Sequence, residues 1–414
     1  MTGSIVGSRL SRRRFGMLSG VALSSGLLPA RLSAQEPINL AVIGPMNGSN
    51  AVGGEMVVRA SKLAVEDVNA AGGIHALNGA KLNLIIADST DNAQGAITTT
   101  ERVLSQQKIA GVFGLVISPL TAAAIPALIK HRVSVITAST ADSLVTPANG
   151  GYLFMIGPTG SALGRVAVDF VRASNTAKTT NVTKAAILYI NNAYGQSAQK
   201  GVEKLVRESG IDVVLNSAYP ENMTDASPLV TKVARSGADV LFPLSDVTDA
   251  GLILTALHSA RSKVLVFGAG SGFTWPPIGQ SLGEKVNGLF GAAAWNWDMK
   301  NVVSDPKLVN VTTRYEKVYG GYMPEQAGEA YGAMWMFALA MEKTASADSE
   351  KLRDALATMK VTSGYPTIIQ PGLVEFGANG ANPNVKAVMI QWQGGKPRTV
   401  FPPELATHQI LTPH

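Results

Sequence analysis

The chain has 414 residues, 46% hydrophobic and 15% charged, which is enough apolar material to bury two domain cores and too little charge for a disordered polyelectrolyte. Its formal charge of +6 comes from the first 34 residues, where Arg9, Arg12, Arg13, Arg14 and Arg31 meet no acid; the 35 basic residues less these five leave 30 against 29 acids, a net of +1 with no electrostatic footprint for nucleic acid. The absence of cysteine excludes disulfides, thiolate metal sites, cysteine nucleophiles and a lipid-anchored N-terminal cysteine.

Ser11-Arg12-Arg13-Arg14-Phe15 precedes a weakly apolar stretch over 16–28 and then Pro29-Ala30-Arg31-Leu32-Ser33-Ala34, the basic, apolar and small-residue parts of a signal peptide. About 13 residues at ~1.5 Å each span roughly 20 Å, short of a bilayer core of ~30 Å, so the segment is an address and not an anchor. Its S-R-R-x-F spacing is similar to the bacterial twin-arginine export signal. Residues 1–34 are therefore expected to be removed, by cleavage after Ala34 or alternatively after Ala30, from a soluble periplasmic protein.

From residue 38 short β-rich runs alternate with segments of helical period. Strands are predicted at 38–44, 82–87, 109–116 and 133–137, separated by a helix carrying Met56, Ala60, Leu63, Ala64 and Val68 on one face and by helices at 93–107 and 119–130. After Gly157-Pro158 a second series begins, with helices at 161–173, 195–208, 226–236 and 249–260 and strands at 185–190, 211–218, 238–244 and 263–268. Both series read as doubly wound α/β lobes with parallel sheets covered on both faces. A strand at 289–294, helices at 306–319, 326–343 and 349–359, and strand-like runs at 372–376 and 385–392 are too few for a third lobe and must complete the first two. Residues 401–414, with three prolines, read as a surface tail.

In open α/β sheets ligands bind beyond the carboxyl ends of the strands. Ser118-Pro119-Leu120-Thr121 follows one strand; serine is a favoured N-cap and proline a favoured first helical residue, so Ser118 is expected to cap its helix. The unpaired N–H groups and dipole there also suit a carboxylate. Ser139-Thr140-Ala141-Asp142 lies at the same sheet edge, and the second lobe offers Asn191 to Gly195, Ser245 to Asp249 and Gly268 to Phe273. Asp246 and Asp249 have two readings, as acids opening a helix or as acids facing a cleft. Trp275, Trp295 and Trp297 cluster near the second-lobe exit; an indole is more often core than ligand platform, though three so close raise the odds that one lines the cleft.

Leu40-Ala41-Val42-Ile43-Gly44-Pro45-Met46-Asn47-Gly48, the run Ala64-Val65-Glu66-Asp67-Val68-Asn69-Ala70-Ala71-Gly72-Gly73-Ile74, the Ser118 turn and Ala193-Tyr194-Gly195 together resemble the leucine/isoleucine/valine-binding type of periplasmic solute-binding protein, the receptor of branched-chain amino-acid ABC importers. The resemblance covers the mature chain and implies the type I periplasmic binding protein fold. That fold is α/β, two doubly wound parallel-sheet lobes joined by a three-crossing hinge near 158, 294 and 384. Lobe 1 would then comprise 36–158 and 294–384, and lobe 2 would comprise 159–293 and 385–400. Carried over residue by residue, the resemblance implies a carboxylate-binding serine at Ser118, backbone and hydroxyl contacts at Ser139, Thr140 and Ala141, a second-lobe tyrosine at Tyr194 and a ligand-flanking residue at Gln326. The family's acid for an α-ammonium falls on Gly270, which has no side chain, and two of its aromatics fall on Gly53 and Asp246. Either Asp246 replaces the missing acid or the ligand is a carboxylate without an amino group, with room near Gly53 for a larger or aromatic body.

Enzyme patterns fail in context. Gly279-Gln280-Ser281-Leu282-Gly283 satisfies G-x-S-x-G, but Trp275-Pro276-Pro277 stands where the nucleophile elbow needs a strand, and only His408 and His414 follow. Gly268-x-Gly270-x-Gly272 has Phe273 where the dinucleotide fingerprint needs its last glycine. No histidine pair outside the tail has zinc-ligand spacing, and Asp88 and Asp91 do not make a calcium loop. The expectation is a monomeric, cofactor-free binding component of an ABC importer that captures an amino acid or a 2-oxo or aromatic carboxylate and meets a membrane permease; the alternative is a periplasmic sensor of the same fold signalling to a membrane receptor.

Overall fold

The computed structural model describes residues 36–149, 151–301, 306–369 and 372–411; the expected export signal lies outside them. The first series runs β1 (Ile38–Gly44), α1 (Ala51–Ala70), β2 (Leu82–Asp88), α2 (Ala93–Gln106), β3 (Ile109–Gly114), α3 (Ser118–Lys130), β4 (Val135–Thr137) and β5 (Leu153–Met155). These five strands form an all-parallel sheet in the order β2-β1-β3-β4-β5. Its central strand β3 is buried along its whole length, as a strand covered by helices on both faces must be.

The second series runs α4 (Gly160–Thr176), β6 (Lys184–Ile190), α5 (Ala193–Glu208), β7 (Asp212–Tyr219), α6 (Ser227–Ser236), β8 (Val240–Leu244), α7 (Val247–Ser259), β9 (Leu265–Ala269), α8 (Ser271–Thr274), α9 (Pro276–Leu282) and β10 (Phe290–Ala293). The chain then returns to the first sheet with α10 (Pro306–Tyr319), α11 (Glu325–Thr344) and α12 (Ser349–Thr358), adds a small hairpin-like pair β11 (Lys360–Val361) and β12 (Val374–Glu375), and ends in β13 (Val388–Gln393) and β14 (Lys396–Phe401). The second sheet has seven strands, ordered β14-β13-β10-β9-β8-β6-β7. Strands β6 to β10 are parallel, and β13 and β14 add antiparallel.

The strand order β2-β1-β3-β4-β5 of the first sheet is repeated as β7-β6-β8-β9-β10 in the second. In each the winding reverses once, between β1 and β3 and between β6 and β8, and a crevice opens at that reversal beyond the carboxyl ends of the strands. Helix α11 joins the return segment to the first lobe. It is apolar and buried around most of its circumference, packs on α1, and sets the Phe337 ring over β3, where Gly111 leaves the room: a Cβ there would sit 2.2 Å from the ring.

Five elements differ from the predicted pattern. β5, β11 and β14 were not expected as strands, and α8 and α9 occupy what read as loop. The G-x-S-x-G pattern closes α9 instead of joining a strand to a helix, and Ser281 Oγ donates to Ile278 O at 3.2 Å. The segment after β14 is held to β13, where the Gln391 side chain exchanges two 2.8 Å hydrogen bonds with the Leu411 backbone. Among the described residues no helix is long and apolar enough to cross a membrane, and no group of three His, Asp or Glu side chains could hold a metal ion.

Candidate functional site

The turn from β3 into α3 is bent sharply. Gly114 (φ +148°) is followed by Leu115 (φ 49°) and Val116 (φ 54°), left-handed conformations that cost a non-glycine residue roughly 1–3 kcal/mol each. The strain turns the chain so that Ser118 and the start of α3 face the crevice. Ser118 does not cap its own helix, contrary to the sequence expectation. Ile117 holds the N-cap position, and Ser118 Oγ instead accepts the Ala141 N–H at 3.2 Å, because the neighbouring loop brings a backbone donor closer than the helix does. The first backbone N–H of α3 to bond back is Thr121, to Ile117 O at 3.0 Å, so the Ser118 and Leu120 N–H groups before it lack an intrahelical acceptor, as at any helix N-terminus.

Loop 138–142 completes the first-lobe wall. Ser139 shares a 2.7 Å hydroxyl contact with Thr121, and its N–H donates to Thr137 Oγ1 at 3.0 Å. Ser139 and Ala141 therefore lie behind the wall and brace it, while Thr140 faces the opening. Asp142 reaches the second lobe, where its Oδ2 accepts the Ser161 N–H at 3.1 Å and Ser197 Oγ at 3.3 Å.

From the second lobe come Asn192, Tyr194, Asp246, Gly270 and Ser271. Asn192 Oδ1 caps α5 by accepting the Gly195 N–H at 3.0 Å. Tyr194 is buried, and its hydroxyl donates to Ala269 O at 2.7 Å. Gly270 has φ +89° and ψ −174°, and a Cβ on it would lie 2.3 Å from Tyr194 Oη. The backbone and the tyrosine both forbid a side chain there. Asp246 holds the N-cap position of α7 but makes no capping hydrogen bond. Half-buried at the cleft, its carboxyl is pushed up to about 7, first by burial and then by Asp249, Glu221 and Asp91.

The room expected near Gly53 is filled. The indole of Trp275 lies against it, so that a Cβ on Gly53 would be 2.4 Å from the ring; an aromatic from the second lobe takes the volume that a first-lobe aromatic would have used. Trp275 Nε1 donates to Gln326 Oε1; all three tryptophans are buried in one core cluster, and Trp275 is the one of the three that also lines the cleft.

Helix α11 contributes two acids that the sequence reading passed over. Glu325 is buried and accepts from Thr274 Oγ1 at 2.6 Å, the Ala294 N–H at 2.6 Å and Gln326 Nε2 at 3.1 Å. Burial raises its pKa and these donors partly offset the rise. Glu329, one turn on, is 2% exposed, and its Oε2 has no hydrogen-bond partner among the described residues. Burial, and then Glu325, hold its carboxyl well above the usual range. Two acids four residues apart on a helix of Ala, Gly, Met and Phe repel each other, and that pattern was the available signal.

The structure thus brings Ser118, Thr140, Tyr194, Asp246, Gly270 and Gln326 around one cleft, joined by Glu325 and Glu329. The cleft has an atom-free volume of about 540 Å³ including its mouth, of which about 40 Å³ can take the centre of a water-sized sphere. It is a narrow slot for a small solute.

Comparison with known proteins agrees with this architecture. A family model described as periplasmic binding protein matches residues 37–396. The Leu/Ile/Val-binding protein homolog 8 of Brucella abortus is 30% identical over 407 residues, covering 96% of this chain and 98% of that protein. Among solved structures, the branched-chain amino acid transporter substrate binding protein of Streptococcus pneumoniae, in complex with isoleucine, is 25% identical with a TM-score of 0.75, over 89% of this chain and 100% of that one. A solute binding protein of an R. palustris ABC transporter, in complex with benzoate, is 16% identical with a TM-score of 0.75, over 88% of this chain and 95% of that one. The two reversal crevices on a two-lobed α/β frame and a family match along nearly the whole described chain lead to one conclusion: this chain belongs to the periplasmic binding protein family, in its leucine/isoleucine/valine-binding branch.

Proposed function

We propose that the protein is the extracytoplasmic solute-binding component of an ABC importer, closing its lobes on one small carboxylated molecule and presenting the closed form to a membrane permease. The observation that carries the reading is the convergence of both reversal crevices, with the N-terminus of α3, on one narrow slot. The ligands named for the similar structures, isoleucine and benzoate, share only a carboxylate and an apolar body. On this reading Ser118, Thr140 and the first N–H groups of α3 take the carboxylate. Ser139 and Ala141 hold that wall in place, and Tyr194, Gly270, Asp246 and Gln326 enclose the rest. The export signal at Arg12-Arg13 delivers the protein to the permease's side of the membrane.

A ligand can drive closure only by binding the closed form better than the open one, which requires contacts from both lobes. The test is a thermal-shift screen of amino acids, 2-oxo acids and aryl carboxylates. A binder at 100 times its dissociation constant adds ~2.7 kcal/mol of stability. A carboxylate that raises the melting temperature, while its amide or methyl ester does not, is the expected outcome; a panel in which no carboxylate stabilises the protein refutes the reading.

A further inference from the structure

The carboxylate wall accounts for Ser118 and Thr140 and leaves the acids opposite unexplained. Glu325 has a structural role: its oxygens hold donors from Thr274, Ala294 and Gln326 and so tie α11 to the second lobe. Glu329 has none. It lines the cleft, is 2% exposed, and keeps Oε2 without a hydrogen-bond partner. A buried carboxyl with an unmet oxygen costs stability that a glutamine or leucine of similar volume would not. The chain nonetheless makes room for it. A Cβ on Gly157 would lie 1.7 Å from Glu329 Oε1, so the glycine at the lobe crossing is the recess in which the carboxylate sits.

The charge around the slot points the same way. Its described lining carries Asp246, Glu325 and Glu329 and no Lys, Arg or His, and the adjoining mouth adds Asp91, Glu221 and Asp249. A purely anionic solute would enter a field of its own sign, whereas a solute with a positive end meets an unpaired acceptor at the bottom. Position 270, where the resemblance put the acid for an ammonium group, is closed to any side chain by its backbone and by Tyr194.

We propose that Glu329 is the counter-ion for a cationic nitrogen on the solute, so that the ligand is a small zwitterion gripped at its carboxylate by α3 and at its ammonium by α11, both from the first lobe. The proposal rests on the reading of the cleft as a carboxylate site. The sequence pattern left the amino group open because it counted only positions 246 and 270; the acids of α11 favour its presence. Burial holds the Glu329 carboxyl well above the usual range, and an ammonium seated on it favours the charged form. Binding an amino acid therefore shifts Glu329 towards proton release, and Asp246, Glu325 and Tyr194 are the other titratable groups that face the slot.

The experiment is calorimetry on the full mature chain at pH 7.5 in phosphate and in Tris, with leucine and phenylalanine as probes beside their 2-oxo acids and benzoate. The expected result is an amino acid bound more tightly than its 2-oxo counterpart. Glu329→Gln, checked for folding by its melting curve, should weaken that binding by about 10- to 100-fold and release fewer protons than the wild type. An amino acid bound within twofold by Glu329→Gln, or with an unchanged proton count, overturns the proposal. Binding of the 2-oxo acids or benzoate alone overturns it while leaving the carboxylate reading intact, and binding of none of the probes overturns both. Should Glu329→Gln fail to fold, Asp246→Asn decides alone: amino-acid binding kept within a few fold supports Glu329, and its loss, which makes Asp246 the counter-ion, overturns the proposal.

Discussion

Gly270→Ala isolates the reason why the second-lobe loop carries no acid. At φ +89° and ψ −174° the residue lies in a region open essentially to glycine alone, and alanine there costs roughly 1–3 kcal/mol. Its Cβ would stand 2.3 Å from Tyr194 Oη and 2.9 Å from Cζ, distances no real contact sustains. The buried tyrosine can retreat only by giving up its 2.7 Å bond to Ala269 O, a net loss of about 0.5–1.5 kcal/mol. Together these give about 2–4 kcal/mol, and for a lobe of this size a melting point lower by roughly 5–15 °C. Differential scanning calorimetry of wild type, Gly270→Ala, Tyr194→Phe and the double variant measures it. The double variant should recover part of the loss, because removing the hydroxyl removes the nearer of the two clashes. A Gly270→Ala protein that melts within 1 °C of wild type would refute the claim that backbone and tyrosine jointly exclude a side chain.

Ser118→Ala removes the one hydroxyl on the α3 wall that both faces the slot and holds the Ala141 loop. Affinity for the carboxylate found by screening should fall roughly tenfold or more, from loss of a charge-assisted hydrogen bond of ~1.5–3 kcal/mol; unchanged affinity in a folded variant removes Ser118 from the site. The acids at the mouth predict a pH dependence of known sign. Burial and then Asp249, Glu221 and Asp91 push the Asp246 carboxyl up to about 7, burial and then Glu221 push Asp249 up to about 6, against 3.8 ordinarily, and Glu325 and Glu329 across the slot are raised as well. The folded state therefore holds more protons than the unfolded state between about pH 4 and 7, and stability falls as pH rises through that window. The melting point of the unliganded protein should drop from pH 5 to pH 8, less steeply in Asp246→Asn. An equal slope in the variant takes Asp246 out of the explanation.

The alternation of strand and helix, and with it both lobes, is written locally in the sequence, because the inner strands of a covered parallel sheet are near-continuous apolar runs. What escaped has physical causes. β5 is three residues long, too short to show a period, and β14 alternates Lys396 and Arg398 with Pro397 and Thr399, the polar pattern of an edge strand that lacks an apolar run. Trp275-Pro276-Pro277 read as a break, although proline at the first positions opens α9. The strand ends facing the cleft were legible because the fold rule ties function to them. Glu329 was not: which face of the all-round apolar α11 meets the slot is decided by its packing on α1 and β3. The loss of free space at Gly53 was equally hidden, since Trp275 reaches it from the other lobe. Ser118 looked like a cap because capping is a local pattern, and the Ala141 N–H that claims its hydroxyl comes from a different loop.

The most direct test of the capture of a small carboxylate between the lobes is a crystal structure of the mature chain saturated with the strongest binder from the screen. The ligand carboxylate is expected within hydrogen-bond distance of Ser118, Thr140 and the first N–H groups of α3, with its other end enclosed by Tyr194, Trp275 and Glu329. A ligand seated outside this slot, or turned so that its carboxylate leaves the α3 wall empty, would contradict the central claim.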